Sequence, residues 1–313
     1  MTSSFPKRTA LIVLLLLGVC FASNHIAARI AFDHGTGLVT AVVVRSGVTA
    51  LALLAIVKWQ GISLRPPIGT MRWLPVLGLV VAAQSVLLYS AVARIPVAIA
   101  LLSFSTFPAL YALLSWALGG KAPGARAGAI MLLILLGLAL ALDAPAALGA
   151  TTRTGPALAT GVMFGLGASV LFAVALWVTE HRLQPVAGSL RSMTTMAIVS
   201  ISALLGGLTG VMPGALHWPA DATGWLGLAL LTLLYGTAFS GLFVLMPRLD
   251  MARNAAALNI EPIAVLVMGW LILGQKLAAI QVAGALLVVT GIVLLARRKG
   301  GTEPTPVSAS SRR

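Results

Sequence analysis

Ten long runs of apolar residues, separated by short segments with charges, proline or glycine, dominate this chain. The runs cover about 9–31, 37–57, 71–93, 96–118, 125–143, 157–180, 188–211, 223–246, 254–274 and 278–296. An α-helix needs about 20 apolar residues to cross a bilayer, and inside lipid the backbone must satisfy its own hydrogen bonds. The sequence therefore predicts an all-α integral membrane protein with ten transmembrane helices.

The composition excludes a soluble fold. Of the 313 residues, 59% are hydrophobic and 9% are charged. A water-exposed surface carries about 25–35% charged residues, and the seven Asp and Glu residues cannot supply their share. The single cysteine, Cys20, excludes an intramolecular disulfide and a cysteine-based metal cluster. Because no phosphate-binding loop, zinc-protease motif or serine-hydrolase motif occurs, we predict no metal, no cofactor and no enzyme activity.

The basic residues that give the net charge of +14 lie at positions that indicate membrane topology. Lys and Arg stand singly between apolar runs and form no basic face, which excludes a nucleic-acid partner. With the N-terminus inside, sixteen of the 21 Lys and Arg residues fall in predicted cytoplasmic segments, Arg191 among them. The positive-inside rule therefore predicts a multi-pass protein with both termini in the cytoplasm. The first apolar run continues to about Ile30, so it is predicted to be a span and not a cleaved signal peptide.

The second half of the chain repeats the first. Arg94 and Pro108 match Arg248 and Pro262, each 154 residues later. Each unit has five helices, an odd number, so the second unit enters the membrane inverted. Inverted repeats are typical of secondary transporters, with the substrate site between the repeats near the bilayer midplane. The predicted organisation is a cytoplasmic N-terminus (1–8), a first repeat (9–143), a linker (144–156), a second repeat (157–296) and a disordered cytoplasmic tail (297–313).

Polar side chains inside the apolar runs are the candidate site residues, because each costs free energy in lipid unless it faces a cavity or a partner. Glu261 precedes Pro262, which interrupts helical hydrogen bonding. This acid either couples transport to a cation or forms a structural ion pair with Arg45, and His25 is either a proton relay or a hydrogen-bonded core residue. The candidates for substrate contact are Asn24, His25, Gln84, Ser103, Phe107, Trp177, Tyr235 and Phe239.

Two further patterns concern packing. Tyr235, Phe239 and Phe243 recur every four residues and share one helix face, which either lines a cavity, faces lipid or packs against the next helix. Asn24 and Gln84 either bind substrate or bond neighbouring helices. Glycines spaced by four, at 124 and 128 and at 161 and 165, predict close approach between helices.

Three short motifs stand out in the second half of the chain: LYGTA at 234–238, NIEP at 259–262 and GWLILG at 269–274. The first half contains Asn24, Arg45 and Pro108 in a companion pattern. Together these segments resemble the EamA domain of the drug/metabolite transporter superfamily. The resemblance covers nearly the whole chain and implies a ten-helix secondary transporter of two inverted repeats, usually a bacterial exporter of amino acids or related metabolites. The chain departs from the family where Gly274-Gln275 replaces a common Gly-Glu pair.

Within that family the chain is most similar to the aromatic amino acid exporter branch. The resemblance thus implies an inner-membrane exporter of aromatic or large neutral amino acids, with drugs in its range, that works by alternating access. Its partners would be a small-molecule substrate and the lipid bilayer, and a monomer is compatible with the sequence. The alternatives are a lipid-linked or nucleotide-sugar flippase of the same fold, a membrane enzyme and a non-transporting membrane scaffold. Direction and coupling ion stay open.

Overall fold

The computed structural model describes residues 5–92, 94–95, 97–144, 146, 156–210, 216–273 and 277–296. Its helices are α1 (Lys7–Asp33), α2 (Leu38–Trp59), α3 (Trp73–Val92), α4 (Val97–Phe104), α5 (Phe107–Ala117), α6 (Ala125–Ala141), α7 (Pro156–His181), α8 (Gly188–Leu208), α9 (Ala222–Leu249), α10 (Met251–Asn254), a 3-10 helix (Ala255–Asn259), α11 (Ile260–Leu273) and α12 (Ala279–Ala296). The predicted tail 297–313, most of the predicted linker and Gly274-Gln275 lie outside the described residues.

All ten predicted spans are present as helices, which confirms the fold class. Seven described helical segments are long and apolar enough to cross a bilayer, and three shorter apolar helices complete the set. Two spans are interrupted: the fourth consists of α4 and α5, and the ninth consists of α10, the 3-10 helix and α11. Apolar length predicts a span, but it carries no information on such a break.

The outer surface of the helix bundle is apolar and parts of its interior are polar. Leu16, Leu51 and Leu233 are 64%, 67% and 65% exposed, whereas Asn24 and Arg191 are buried. A soluble protein rarely shows this inversion, and lipid accounts for it. Arg191 was predicted to be a cytoplasmic topology residue. Its guanidinium is buried near the start of α8 and donates a 2.9 Å hydrogen bond to the carbonyl of Leu183, so Arg191 also serves as an interior hydrogen-bond donor.

The two ends of the bundle are identified by contacts between helix ends. At the Lys7 end, the N–H of Phe5 donates to the carbonyl of Arg248 across 2.9 Å. At the opposite His34 end, the imidazole of His34 lies 2.6 Å from the carboxylate of Asp221. These pairs join the start of α1 to the end of α9 and the end of α1 to the start of α9, so the two helices are antiparallel.

Helix packing follows the inverted repeat. The first helix of each repeat packs against the third span of the other repeat: α1 packs against α9, and α7 packs against α3. In the same way α1 packs against α11, and α7 packs against α5. The pairs α2–α8 and α6–α12 join equivalent helices. Contacts therefore occur in symmetric pairs, as expected for two repeats related by a pseudo-twofold axis.

Both interrupted spans break at equivalent positions. Ser105 lies between α4 and α5, and Asn259 ends the 3-10 helix before α11; the two residues differ by 154 in number. Pro108 and Pro262 follow shortly after, within the first turn of the new helix, where a missing N–H costs no hydrogen bond. Backbone that leaves the helical ladder at membrane depth must be surrounded by protein or line a cavity. The breaks therefore indicate where the functional centre lies.

Glycines bring some helices to backbone contact. A Cβ atom added to Gly284 of α12 would overlap the backbone of Ala141 in α6, so these two helices meet without intervening side chains. The prediction for 161 and 165 agrees with the structure: added Cβ atoms there would overlap Ile95 and approach the Cβ of Ser103 to 2.7 Å. The prediction for Gly124 and Gly128 was wrong, because neither has a described neighbour within 4 Å.

Candidate functional site

A narrow crevice lies where the two broken spans meet, between the repeats. Its volume is about 10 Å³, enough for about one water molecule, so this conformation is closed. The residues that line it are His25, Leu101, Phe104, Ser105, Phe107, Leu258, Asn259, Glu261, Pro262 and Val265. Both break residues, Ser105 and Asn259, belong to the lining.

One wall of the crevice carries a histidine–carboxylate pair. Nε2 of His25 lies 2.7 Å from Oε1 of Glu261, and the two side chains are 40% and 23% exposed. Gly18 lies two turns before His25 on the same face of α1, and an added Cβ there would overlap Ile260. The missing side chain thus lets α1 approach α11 closely enough for His25 to reach Glu261.

The basic side chain against Glu261 in the structure is His25, whereas the sequence offered Arg45 as one possible partner. Helix α1, not α2, packs against α11, and it presents His25 to the carboxylate. The guanidinium of Arg45 lies instead over the ring of Tyr235, 3.9 Å from its centroid. Charge alone suggested Arg45 as a partner for Glu261, but the rotation of each helix about its axis decides which side chains meet.

The opposite wall of the crevice is aromatic. Phe107 makes an edge contact with Phe172 of α7, with ring centroids 4.9 Å apart, and lies 5.6 Å from Phe104. Phe107 occupies the position in the first repeat that Glu261 occupies in the second. The crevice therefore has one acidic side and one aromatic side, although the backbones on the two sides are equivalent.

A second carboxylate pair lies beside the aromatic wall. The hydroxyl of Tyr111 donates to Oε2 of Glu180, and Tyr111 is fully buried. Sequence reasoning missed both residues. Glu180 is adjacent to a helix end, where charged residues are ordinary, and Tyr111 is one aromatic residue in an apolar run. The one available signal was that Glu180 is the sole acid within α7.

The aromatic face of α9 points into the bundle. Tyr235 and Phe239 stack with centroids 5.8 Å apart, Phe239 and Phe243 stack at 4.3 Å, and all three rings are buried. The alternative in which this face contacts lipid is therefore wrong. In the described conformation the stack packs in the core and does not line the crevice.

Four other predicted contact residues lie outside the crevice in this conformation. Asn24 is buried one turn after Cys20, whose thiol donates to a carbonyl of α9 across 3.3 Å. Gln84 is buried on α3, which packs against α7 and α8. The hydroxyl of Ser103 donates to the carbonyl of Ile99 across 2.8 Å. Trp177 stacks on His181 near the end of α7. His25 and Phe107 are therefore the two predicted contact residues that the crevice includes.

A larger groove of about 580 Å³ runs between α2 and α9 on the outside of the bundle. Exposed apolar residues such as Val48 and Leu233 form part of its walls. The hydroxyls of Thr49, Thr232 and Thr237 in this groove donate to carbonyls of their own helices. The groove therefore offers apolar surface to lipid chains and few hydrogen-bonding groups to a polar headgroup.

Comparison with known proteins identifies the family. The model of the EamA-like transporter family matches residues 8–143 and 159–297. An uncharacterized transporter, sll1319, of Synechocystis sp. (strain ATCC 27184 / PCC 6803 / Kazusa) is 32% identical over 213 residues, 67% of this chain. The match spans 62% of the length of that curated relative.

A solved crystal structure with 18% identity superposes with a TM-score of 0.74 over 95% of this chain and 100% of the other, which supports the fold. With a family model matched in both halves, the chain belongs to the EamA-like transporter family.

Proposed function

We propose that this protein is a secondary transporter that carries amino acids with aromatic or large neutral side chains through the crevice by alternating access. The observation that carries the proposal is the position of the crevice, between inverted repeats and at the breaks of both interrupted spans. Transporters with inverted repeats bind their substrates at such discontinuous helices. Rocking of the repeats would widen the crevice toward one end of the bundle at a time.

The chemistry of the two walls suits a zwitterion with an apolar side chain. The carboxylate of Glu261 can accept hydrogen bonds from an ammonium group, and the amide of Asn259 can donate to a carboxylate. Phe104, Phe107 and Phe172 form an aromatic surface for the side chain. An aromatic ring gains about 0.5–1.5 kcal/mol from each aromatic partner beyond area burial, which favours phenylalanine over aliphatic residues of similar size.

We also propose a bacterial inner-membrane location with both termini in the cytoplasm. Phe5, which precedes Lys7 and Arg8, bonds the carbonyl of Arg248 at one end of the bundle, and the basic segments that follow α2 and α7 lie at the same end. The opposite end carries the His34–Asp221 pair. This asymmetry supports the positive-inside assignment.

Uptake into proteoliposomes tests the proposal. Purified protein is reconstituted and offered labelled phenylalanine, threonine and lysine, with and without an imposed pH gradient. We expect saturable phenylalanine flux that leucine and tryptophan inhibit, and slower threonine and lysine flux. Glu261→Gln should reduce phenylalanine flux at least about tenfold, because it removes a charge-assisted hydrogen bond worth about 1.5–3 kcal/mol.

Asp33→Asn is the matched control, since it removes an exposed carboxylate outside the crevice and should leave flux unchanged. Equal flux of phenylalanine and lysine would contradict the substrate class, and folded protein without flux of any of the three would contradict amino acid transport. The flippase alternative has one observation in its favour, the groove between α2 and α9. Translocation of a labelled lipid by the same proteoliposomes, without amino acid flux, would support that alternative.

A further inference from the structure

Two side-chain bonds cross from one repeat to the other beside the crevice. His25 of the first repeat contacts Glu261 of the second, and Tyr111 of the first repeat donates to Glu180 of the second. The repeat relates the helix pairs that carry them, because α1–α11 and α5–α7 are equivalent contacts. The residues themselves are not repeated: Ile26 and Val265 stand 154 positions from Glu180 and Tyr111.

The two bonds lie on opposite sides of the bundle midplane. At 1.5 Å per residue, His25 is about 27 Å along α1 from Lys7 and about 12 Å from Asp33. Glu180 lies one residue before the end of α7, and the next arginine, Arg182, contacts the ring of Trp73 at the Lys7 end. The His25–Glu261 bond is therefore on the His34 side and the Tyr111–Glu180 bond on the Lys7 side.

A continuous line of side chains connects the crevice to the second bond. Tyr111 is one helical turn beyond Phe107 on the same face of α5. Phe172, Leu176 and Glu180 share one face of α7 at intervals of four residues, and Phe172 contacts Phe107. The aromatic wall and the Tyr111–Glu180 bond thus close the path from the crevice toward the Lys7 end.

We propose that these two bonds are the gates of the crevice: His25–Glu261 closes it toward the His34 end, and Tyr111–Glu180 closes it toward the Lys7 end. Each gate breaks while the other holds, and the described conformation, in which both are formed, is the occluded state. This inference rests on the proposed transport function, and it assigns Tyr111 and Glu180 a role as positioning residues that hold α5 against α7.

Sided labelling of a crevice cysteine tests the gates. Cys20→Ala removes the single cysteine, and Ser105→Cys places a new one in the crevice. A charged, membrane-impermeant maleimide is then added to one side of sealed vesicles, in right-side-out and inside-out preparations. With both gates intact we expect slow labelling from either side, because Ser105 is 5% exposed.

Variants of the two gates are expected to speed labelling from opposite sides of the membrane. Tyr111→Phe removes one hydroxyl and should speed labelling about tenfold from the Lys7 side only, the effect of losing one hydrogen bond to a charged group. Glu261→Gln should speed labelling by a similar factor from the His34 side only. Glu180→Gln weakens the same Tyr111–Glu180 gate by changing its acceptor, so it should also speed labelling from the Lys7 side only.

Two matched controls remove similar groups elsewhere. Thr290→Val deletes a hydroxyl that bonds its own helix on α12, and Asp33→Asn deletes an exposed carboxylate, so both should label like the parent. Acceleration from the same side, or from both sides, in Tyr111→Phe and Glu261→Gln would overturn the proposal, as would unchanged labelling in folded variants. Because labelling needs no substrate, a failed amino acid assay leaves this test intact. Normal amino acid flux, combined with equal acceleration of labelling from both sides, would reject the gate assignment and leave the proposed transport function standing.

Discussion

Arg191 donates a hydrogen bond to the carbonyl of Phe243, the oxygen that Pro247 leaves without its helical N–H. In an α-helix that oxygen accepts from the residue four positions later, and here that residue is proline. The same guanidinium donates to the carbonyl of Leu183 just beyond α7. One buried cation of α8 therefore supplies donors to both neighbouring chain segments.

We expect Arg191→Ala to destabilise the protein strongly. Two buried carbonyls lose their donor, and each stranded acceptor costs about 1–3 kcal/mol. Pro247→Ala restores the N–H to α9, so Arg191→Ala should cost about 1 kcal/mol less in that background. Thermal unfolding in detergent measures both effects. Arg126→Ala removes an exposed arginine and is the control; equal losses for Arg126 and Arg191 would contradict this account.

Gly284→Ala should also destabilise the protein, by about 1–3 kcal/mol, because the new methyl group would overlap the backbone of α6. Gly128→Ala is the matched change in an open position of α6, where no described atom lies within 4 Å of the added Cβ. That variant should be neutral or more stable by up to about 1 kcal/mol. Unfolding in detergent compares the two, and similar unfolding midpoints would refute a backbone contact between α6 and α12.

The His34 end should lose stability in acid. The N–H of Gly224 and the imidazole of His34 hold the pKa of Asp221 below its ordinary value of 3.8. Because the folded pKa is the lower one, the ionised group stabilises the fold above about pH 4 and loses that contribution as pH falls through the folded pKa. Asp221→Asn should therefore unfold at a lower temperature than the parent at pH 6, and this difference should narrow as the pH falls below about 4.

Thr223→Ala changes no ionisable group beside Asp221, so its shift in unfolding temperature should be the same at every pH. Thermal melts of the three proteins between pH 3 and pH 6 make the comparison. Parallel curves for Asp221→Asn and the parent would show that the carboxylate adds no acid-sensitive stability.

Arg45 and Tyr235 should be energetically coupled. The guanidinium lies 3.9 Å from the ring centroid inside the bundle, where a cation–π contact is worth about 2 kcal/mol. A double-mutant cycle with Arg45→Met and Tyr235→Leu should give a coupling free energy of about 1–2 kcal/mol in unfolding experiments. A cycle that pairs Arg45→Met with Phe243→Leu is the control, and an equal coupling energy there would argue against a specific contact.

The sequence predicted the elements of the fold well because membrane helices have a fixed length. The offset of 154 residues between Pro108 and Pro262 also relates the two breaks, although only Pro262 was interpreted from the sequence as an interruption. Applied to Asn259, the same offset leads to Ser105, which belongs to the crevice lining and was not predicted. The number of spans and the positions related by the repeat can thus be predicted from the sequence of a membrane protein.

The partners of the candidate site residues were less predictable, and helix rotation explains why. A helix that is apolar on all sides gives no stripe from which its buried face can be read. Arg45 was therefore a possible partner of Glu261 by charge, whereas the face of α1 that carries Gly18 brings His25 to the carboxylate. Tyr111 stands in no local pattern, and Glu180 is distinguished only as the sole acid within α7. Their pairing follows from the contact between α5 and α7.

The glycine contact between α6 and α12 has a mechanical consequence. Where two backbones touch, no side chain can change its rotamer to accommodate movement, so the contact either persists or separates completely. The seam at Gly284 is therefore the stiff boundary between the repeats, whereas the ring and carboxylate contacts at the crevice can rearrange in small steps. The two repeats can therefore tilt relative to each other about this fixed contact, so α6 and α12 lie along the axis of that movement.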